Sequence, residues 1–145
     1  MKSIAEFRVA AGLTQAELAR RAGTSRTSVA AIESGKRTLT PQMRRRLFDA
    51  IGTPSKALAE HRDEVLARAA SVGASNIRVF GSVARGTDTP DSDVDLLATP
   101  EPGAGFRFMA LYETLADLLG FPVDVVSERG LGPKHARILT EAVPL

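Results

Sequence analysis

Ile77-Arg78-Val79-Phe80 runs directly into Gly81-Ser82, and after ten further residues Asp93-Val94-Asp95 runs into Leu96-Leu97-Ala98. The flanking segments are β-branched, aromatic and aliphatic, so both read as strands of a sheet. A glycine where strand turns into helix lets an anion approach the backbone closely. The helix that follows points free amide donors at that anion, and the Ser82 hydroxyl adds one more. Asp93 and Asp95 alternate with Val94, so both carboxylates project from one face of their strand. Hard oxygen ligands side by side suit Mg²⁺, which takes its remaining ligands from phosphate and water. Arg85, in the glycine-bounded turn, is a further candidate to neutralise phosphate charge.

Around this segment the pattern alternates. Ser55 to about Val72 reads as one long helix, started by Thr53-Pro54 and ended by Gly73, with Leu58, Val65, Leu66 and Ala69 on one stripe. Thr99 to Gly105 reads as a loop, residues 106–119 as a helix closed by Gly120, and Pro122 to Val126 as a strand. A short helix from Pro133 to about Glu141 completes an order α-β-α-β-α-β-α, the pattern of an α/β layer around a small mixed sheet. Asp124 interrupts an otherwise apolar strand, where a buried unpaired charge costs roughly several kcal/mol. A metal or an opening to solvent would relieve that cost. Asp88 and Asp91 read as decoration of a polar turn, and Tyr112, the one tyrosine, as packing. Neither His61 nor His135 has a companion at metal-ligand spacing, and neither is assigned a role.

The first fifty-two residues are of a different kind. Ser3-Ile4-Ala5-Glu6 and Thr14-Gln15-Ala16-Glu17 each match a capping box. Gly12 and Gly23 stand where helices end. Helices are therefore expected at about 4–11, 15–22 and 25–33, and from Thr40-Pro41 to Ile51 before Gly52. Small Ala19 and Gly23 allow two helices to cross closely, as a helix-turn-helix requires. These residues carry ten Lys+Arg against four acids, a net charge of +6, whereas the remainder carries −4. Such a split implies two modules with different partners, with the boundary near Gly52: a domain 1–52 and a domain 53–145.

Thr14-Gln15-x-x-Leu18-Ala19-x-x-x-Gly23, continued by Val29, Ile32-Glu33, Gly35 and Lys36-Arg37, resembles the Cro/repressor-like, XRE-type family of DNA-binding domains. The resemblance implies that the third helix enters the major groove with Ser25, Arg26, Thr27 and Ser28 near its start. It also implies phosphate contacts from Gln15, Lys36 and Arg37. Arg44-Arg45-Arg46 is weaker, because part of it serves to solvate the fourth helix. Dimeric binding to half-sites one DNA turn apart follows from the same likeness.

Gly81-Ser82-x-Ala84-Arg85-Gly86, Ser92-Asp93-x-Asp95-Leu96-Leu97, Val123-Asp124-Val125-Val126 and the closing Glu141-Ala142-Val143-Pro144-Leu145 resemble the minimal nucleotidyltransferase family of the DNA polymerase β-like superfamily, over about residues 58–145. The resemblance implies an α/β nucleotidyltransferase fold with a small mixed sheet, behind an all-α helix-turn-helix. Gly81, Ser82 and Arg85 would bind a triphosphate, with ATP as the favoured substrate. Asp93, Asp95 and Asp124 would hold two Mg²⁺ ions, and Asp124 would help to activate the attacking hydroxyl. Members include antitoxins that modify a HEPN-type toxin, for which a tyrosine of the toxin is one acceptor.

The expectation is thus an antitoxin that nucleotidylates a HEPN-type toxin and represses its operon through operator DNA, as a homodimer or a toxin–antitoxin hetero-oligomer. Two alternatives stand beside it: a DNA-binding regulator whose second domain neutralises a partner by contact alone, and a small-molecule (drug) nucleotidyltransferase. The space usually given to a small-molecule acceptor domain is missing, which favours a macromolecular acceptor. The absence of Cys excludes disulfides and thiolate metal sites. The apolar runs are too short for a membrane span and Met1-Lys2-Ser3-Ile4 lacks a signal-peptide core, so a cytoplasmic protein is expected.

Overall fold

The computed structural model describes residues 2–145, which divide into two compact units, one ending at Thr53 and the other running from Pro54 to Leu145. The first unit is helical: α1 (Ile4–Ala10), α2 (Gln15–Ala22), α3 (Arg26–Glu33) and α4 (Pro41–Ile51). Each start is a side-chain cap. Ser3 and Thr14 form full capping boxes with Glu6 and Glu17, Ser25 accepts from the Ser28 amide, and Thr40 accepts from the Met43 amide ahead of Pro41. Gly23 ends α2 at φ +68°, a left-handed conformation that a side chain disfavours. Leu18, Val29 and Leu47 are wholly buried between the helices, and Phe7 meets Phe48 edge-to-face at 5.4 Å.

Polar contacts lock these helices in place. Arg8 donates twice to Glu33, at 2.6 and 3.1 Å, and once to the Leu13 carbonyl at 2.8 Å. The fork geometry matches both carboxylate oxygens. The Arg8 guanidinium holds Glu33 below the usual carboxylate range against the opposing effect of burial, with Gln15 adding a hydrogen bond in the same direction. Arg46 is structural: it donates to the Ala22 and Gly23 carbonyls at the C-terminus of α2, where a cation suits the helix dipole.

The second unit begins with α5 (Pro54–Glu60) and α6 (Arg62–Ser71), continues through β1 (Ala74–Phe80), α7 (Gly81–Arg85), β2 (Val94–Pro100), α8 (Gly105–Met109), α9 (Leu111–Leu119) and β3 (Val123–Ser127), and closes with α10 (Ala136–Glu141) and β4 (Val143–Pro144). Among the described residues the sheet has the order β3-β2-β1-β4, with β2 and β3 parallel and the other pairs antiparallel. The central β2 is covered on both faces: Val94, Leu96 and Ala98 join the core with Val65, Leu111 and Leu115, while Leu97 is wholly buried on the opposite side.

Several expectations need correction. The long helix is two, because the backbone at His61 leaves helical geometry (φ −111°, ψ 18°); the apolar stripe is shared by both pieces, so it did not reveal the break. The 106–119 helix likewise divides at Ala110. Thr99 and Pro100 extend β2 instead of opening a loop, paired with Ser75 and Ala74 across a bulge at Asn76, where φ is +52°. The edge strand β4 was not foreseen.

Asp88 is not decoration. It is 1% exposed, and its carboxylate accepts the Ser55 amide at 2.8 Å in the first turn of α5, which is the task of an N-cap acceptor. Replacing it by alanine leaves that amide without this partner inside the fold. Asp88→Ala is expected to cost about 1–2 kcal/mol, read as a lower urea midpoint for the Pro54–Leu145 unit.

Candidate functional site

The site is assembled where β1 ends and β2 and β3 begin. Phe80 stands opposite Asp95 across the β1–β2 pair, and Asp95 stands opposite Asp124 across the β2–β3 pair. Asp93 lies just ahead of β2 and is exposed, Asp95 is half-buried, and Asp124 is exposed on the edge strand. Asp124 therefore faces solvent, which removes the burial cost that its apolar neighbours implied. Along β2, Val94, Leu96 and Ala98 belong to the core cluster, so Asp95 projects from the opposite face. Val123 and Val125 pack with that same core, which puts Asp124 on the Asp95 side.

Three acids in this arrangement repel one another. Burial together with Asp93, Asp124 and Glu141 pushes the Asp95 carboxyl up to about 6, against the opposing pull of Arg85. Carboxylates crowded in this way are hard donors suited to a divalent cation. Among the described residues no three such side chains close on a common point as a finished metal cage. Mg²⁺ needs no such cage, because it keeps waters and takes phosphate oxygens, so the donor set fits the ion.

Gly81 is forced by its neighbour. Its φ is +72°, and a β-carbon there would collide with the Asp95 carboxylate. The strand-to-helix turn and the acid therefore occupy adjoining space that only glycine permits. Ser82 follows in the first turn of α7 and is half-buried. Arg85, in the last turn of α7, forms an ion pair with Glu141, and the same carboxylate accepts the Gly81 amide at 3.3 Å. Both contacts hold Glu141 below the usual carboxylate range, Arg85 most strongly. No role had been given to Glu141. Its only signal was its place at the head of the closing Glu-Ala-Val-Pro-Leu motif.

In the helical unit, α3 displays Arg26 and Thr27 as exposed residues, and Lys36 is exposed beyond its end. Ser25 and Ser28 face each other, hydroxyl to hydroxyl at 2.9 Å, and Arg37 donates to the Ser28 oxygen at 2.9 Å. Arg37 is thereby drawn to the N-terminal turn of α3. Gln15 donates to Glu33 at 2.8 Å, which uses one of its two amide hydrogens. Ser25, Arg26, Thr27 and Ser28 lie at the start of α3 with the Arg37 guanidinium on Ser28, whereas Lys36 lies beyond its far end and Gln15 is tied to Glu33 at that end.

Around Asp124 there is more than the acids. It lines an open cavity of about 300 Å³ with Phe108, Met109, Tyr112, Val123 and Val125. Tyr112, read from the sequence as packing, is 46% exposed, and its hydroxyl donates to Glu113 at 3.0 Å. Phe106 and Met109 are also exposed, at 96% and 69%.

The raised Asp95 has a consequence for stability. An aspartate in an unfolded chain titrates near about 3.9, below the folded value of about 6, so the folded state holds this proton more tightly. The stability linked to it is present below pH about 4 and is lost as pH rises through about 6. Asp95→Asn is therefore expected to raise the stability at pH 7–8 by on the order of 1 kcal/mol once solvent screening is allowed for, seen as a higher thermal midpoint. The gain should vanish below pH about 4, measured by calorimetry across that range.

Comparison with known proteins finds two family matches along the chain. A helix-turn-helix family model matches residues 4–58, and a nucleotidyltransferase domain model matches residues 58–145. The protein adenylyltransferase MntA of Thermococcus cleftensis is 39% identical over 88 residues, covering 59% of this chain and 86% of that protein. A solved structure of a minimal nucleotidyltransferase superposes with a TM-score of 0.57 at 46% identity, over 63% of this chain and 95% of that one. The strand–Gly-Ser–helix turn, the facing acids of β2 and β3 and these similarities converge on one conclusion: the chain belongs to the nucleotidyltransferase domain family, which it carries behind an XRE-type helix-turn-helix.

Proposed function

We propose that the chain is an antitoxin that transfers a nucleoside monophosphate, AMP from ATP, to a HEPN-type toxin partner, and that its helical unit represses the shared operon. The observation that carries the transfer is the pairing of Asp95 with Asp124 across β2 and β3, with the charge of Asp93 acting on Asp95, beside Gly81, whose missing side chain leaves room for the Asp95 carboxylate. Gly81 and Ser82 bind and orient the triphosphate, and Arg85 offsets its charge. That binding has to draw Arg85 and the Gly81 amide away from Glu141, their present anionic partner. Asp93, Asp95 and Asp124 would hold Mg²⁺, and Asp124 takes the proton of the incoming hydroxyl. When bound, the ion stabilises the attacking and leaving oxygens of an in-line displacement.

Support for a protein acceptor comes from the relative described as a protein adenylyltransferase, similar over 88 residues. The test is incubation with α-labelled ATP, Mg²⁺ and the protein encoded by the adjacent reading frame, whose HEPN-type fold the reading requires. Label is expected on that protein, and the Asp93→Asn plus Asp95→Asn variant should transfer at least about 100-fold less, as loss of charge-stabilising groups usually entails. Neutralisation that persists in the double variant would support contact inhibition instead.

For the helical unit, the exposed start of α3 and the net charge of +6 on residues 1–52 support major-groove binding. Affinity for the chain's own upstream DNA is expected to fall steeply with salt. Arg26→Ala should weaken binding there by roughly 5- to 150-fold, the loss of one base or phosphate contact of about 1–3 kcal/mol. Equal binding by that variant, measured by fluorescence anisotropy against a scrambled duplex, would leave only nonspecific attraction.

A further inference from the structure

Glu141 meets the Gly81 turn because the end of the chain is stitched to β1. Val143 pairs with Val79 and Pro144 with Arg78, and the Leu145 amide donates to the Ile77 carbonyl at 3.0 Å. Carried on past Phe80 and Ala142, that antiparallel register points Glu141 at Gly81. Its carboxylate then bridges two donors. One oxygen accepts the Gly81 amide at 3.3 Å, and the other pairs with the Arg85 guanidinium. A backbone amide and a guanidinium converging on one anion are the donors that a phosphate takes. Here a side chain of the chain itself takes them.

On the transfer reading, these donors serve one end of the triphosphate. Asp124 takes the proton of the incoming hydroxyl, so the acceptor stands on the β3 side of the sheet. An in-line displacement sends the leaving oxygen out opposite the attacking one. With β2 lying between β3 and β1, the leaving group is directed toward β1, whose continuation is Gly81, Ser82 and α7. Glu141 therefore sits where the pyrophosphate end belongs.

We propose that Glu141 is an internal competitor of the leaving pyrophosphate: it yields Gly81 and Arg85 when a nucleoside triphosphate binds and retakes them as pyrophosphate departs. The inference rests on the transfer reading above. Only a side chain has to move. Arg137, one turn back on α10, is exposed and its charge already acts on Glu141, so it can hold the released carboxylate while β4 stays paired. The competition weakens the hold on triphosphate and on pyrophosphate by a common factor. A chain that binds its substrate less tightly thus also retains its product less tightly. AMP, which has no pyrophosphate end, escapes the competition.

The full chain and its Glu141→Gln and Glu141→Ala variants are titrated by calorimetry in the presence of Mg²⁺, with thermal melts to verify folding. The ligands are inorganic pyrophosphate, AMP and an ATP analogue with a methylene bridge between its α and β phosphates. Both variants are expected to bind the analogue and pyrophosphate roughly three- to tenfold more tightly, the scale of one partly screened charge-assisted contact. The two gains should be of similar size, and AMP binding should not change. Pyrophosphate binding that is unchanged or weaker in a folded variant overturns the inference. An equal gain for AMP also overturns it, because general charge repulsion would then account for the effect; both outcomes leave the transfer reading intact. If neither the analogue nor pyrophosphate binds the natural chain or either variant, the inference and the transfer reading fall together.

Discussion

Three carboxylates set against one another govern the second unit. Asp95 is held on a rung of the sheet between Phe80 and Asp124, half out of water, with like charges on neighbouring elements. Nothing about that position favours the fold; an amide would sit there more comfortably. Such strain is tolerated where surrounding structure over-determines a residue. Here the surroundings are the parallel β2–β3 pair, the fully buried Leu96 and Leu97, and a glycine at position 81 that yields its side-chain volume. The helical unit has the opposite economy. Its acid Glu33 is matched by Arg8 and Gln15, so charge there holds helices together instead of waiting for a ligand.

Much of this was legible in the residues because it depends on near neighbours. A cap reaches three positions along the chain, so Ser3, Thr14, Ser25 and Thr40 marked the helix starts of the first unit correctly. The alternation of Asp93 and Asp95 placed both acids on one face. What was hidden depends on distant partners. Asp88 becomes a buried cap only because Ser55, thirty-three positions earlier, is brought beside it. Glu141 acquires its contacts with Gly81 and Arg85 only when the last helix returns to α7. The break at His61 involves neither glycine nor proline, and nothing local announces it. The exposure of Tyr112 was not legible because its neighbours Leu111 and Leu115 are core residues; the helix turns their side inward and leaves the tyrosine on another.

Glu141 connects these themes. Its carboxylate lies on the amide and the guanidinium that a phosphate would contact, and its charge adds to the crowding around Asp95. The anion-binding turn and the acid cluster are therefore electrically linked through a residue from the far end of the chain. An anion arriving at Gly81 and a cation arriving at Asp95 each alter the conditions for the other, because both act on the same small set of charges.

The pairing of Asp95 with Asp124 also limits how such a site can change over evolutionary time. Side chains on a strand alternate between faces, so deleting one residue from β3 ahead of Asp124 turns its carboxylate into the hydrophobic layer and brings a valine to the site. No run of small adjustments connects those two registers. Point substitutions can tune the walls of the cavity one side chain at a time, whereas length changes in the turn before β3 are all-or-none. Sequence drift in this unit should therefore leave the spacing from Gly120 to Asp124 rigid while the lining residues around it vary freely.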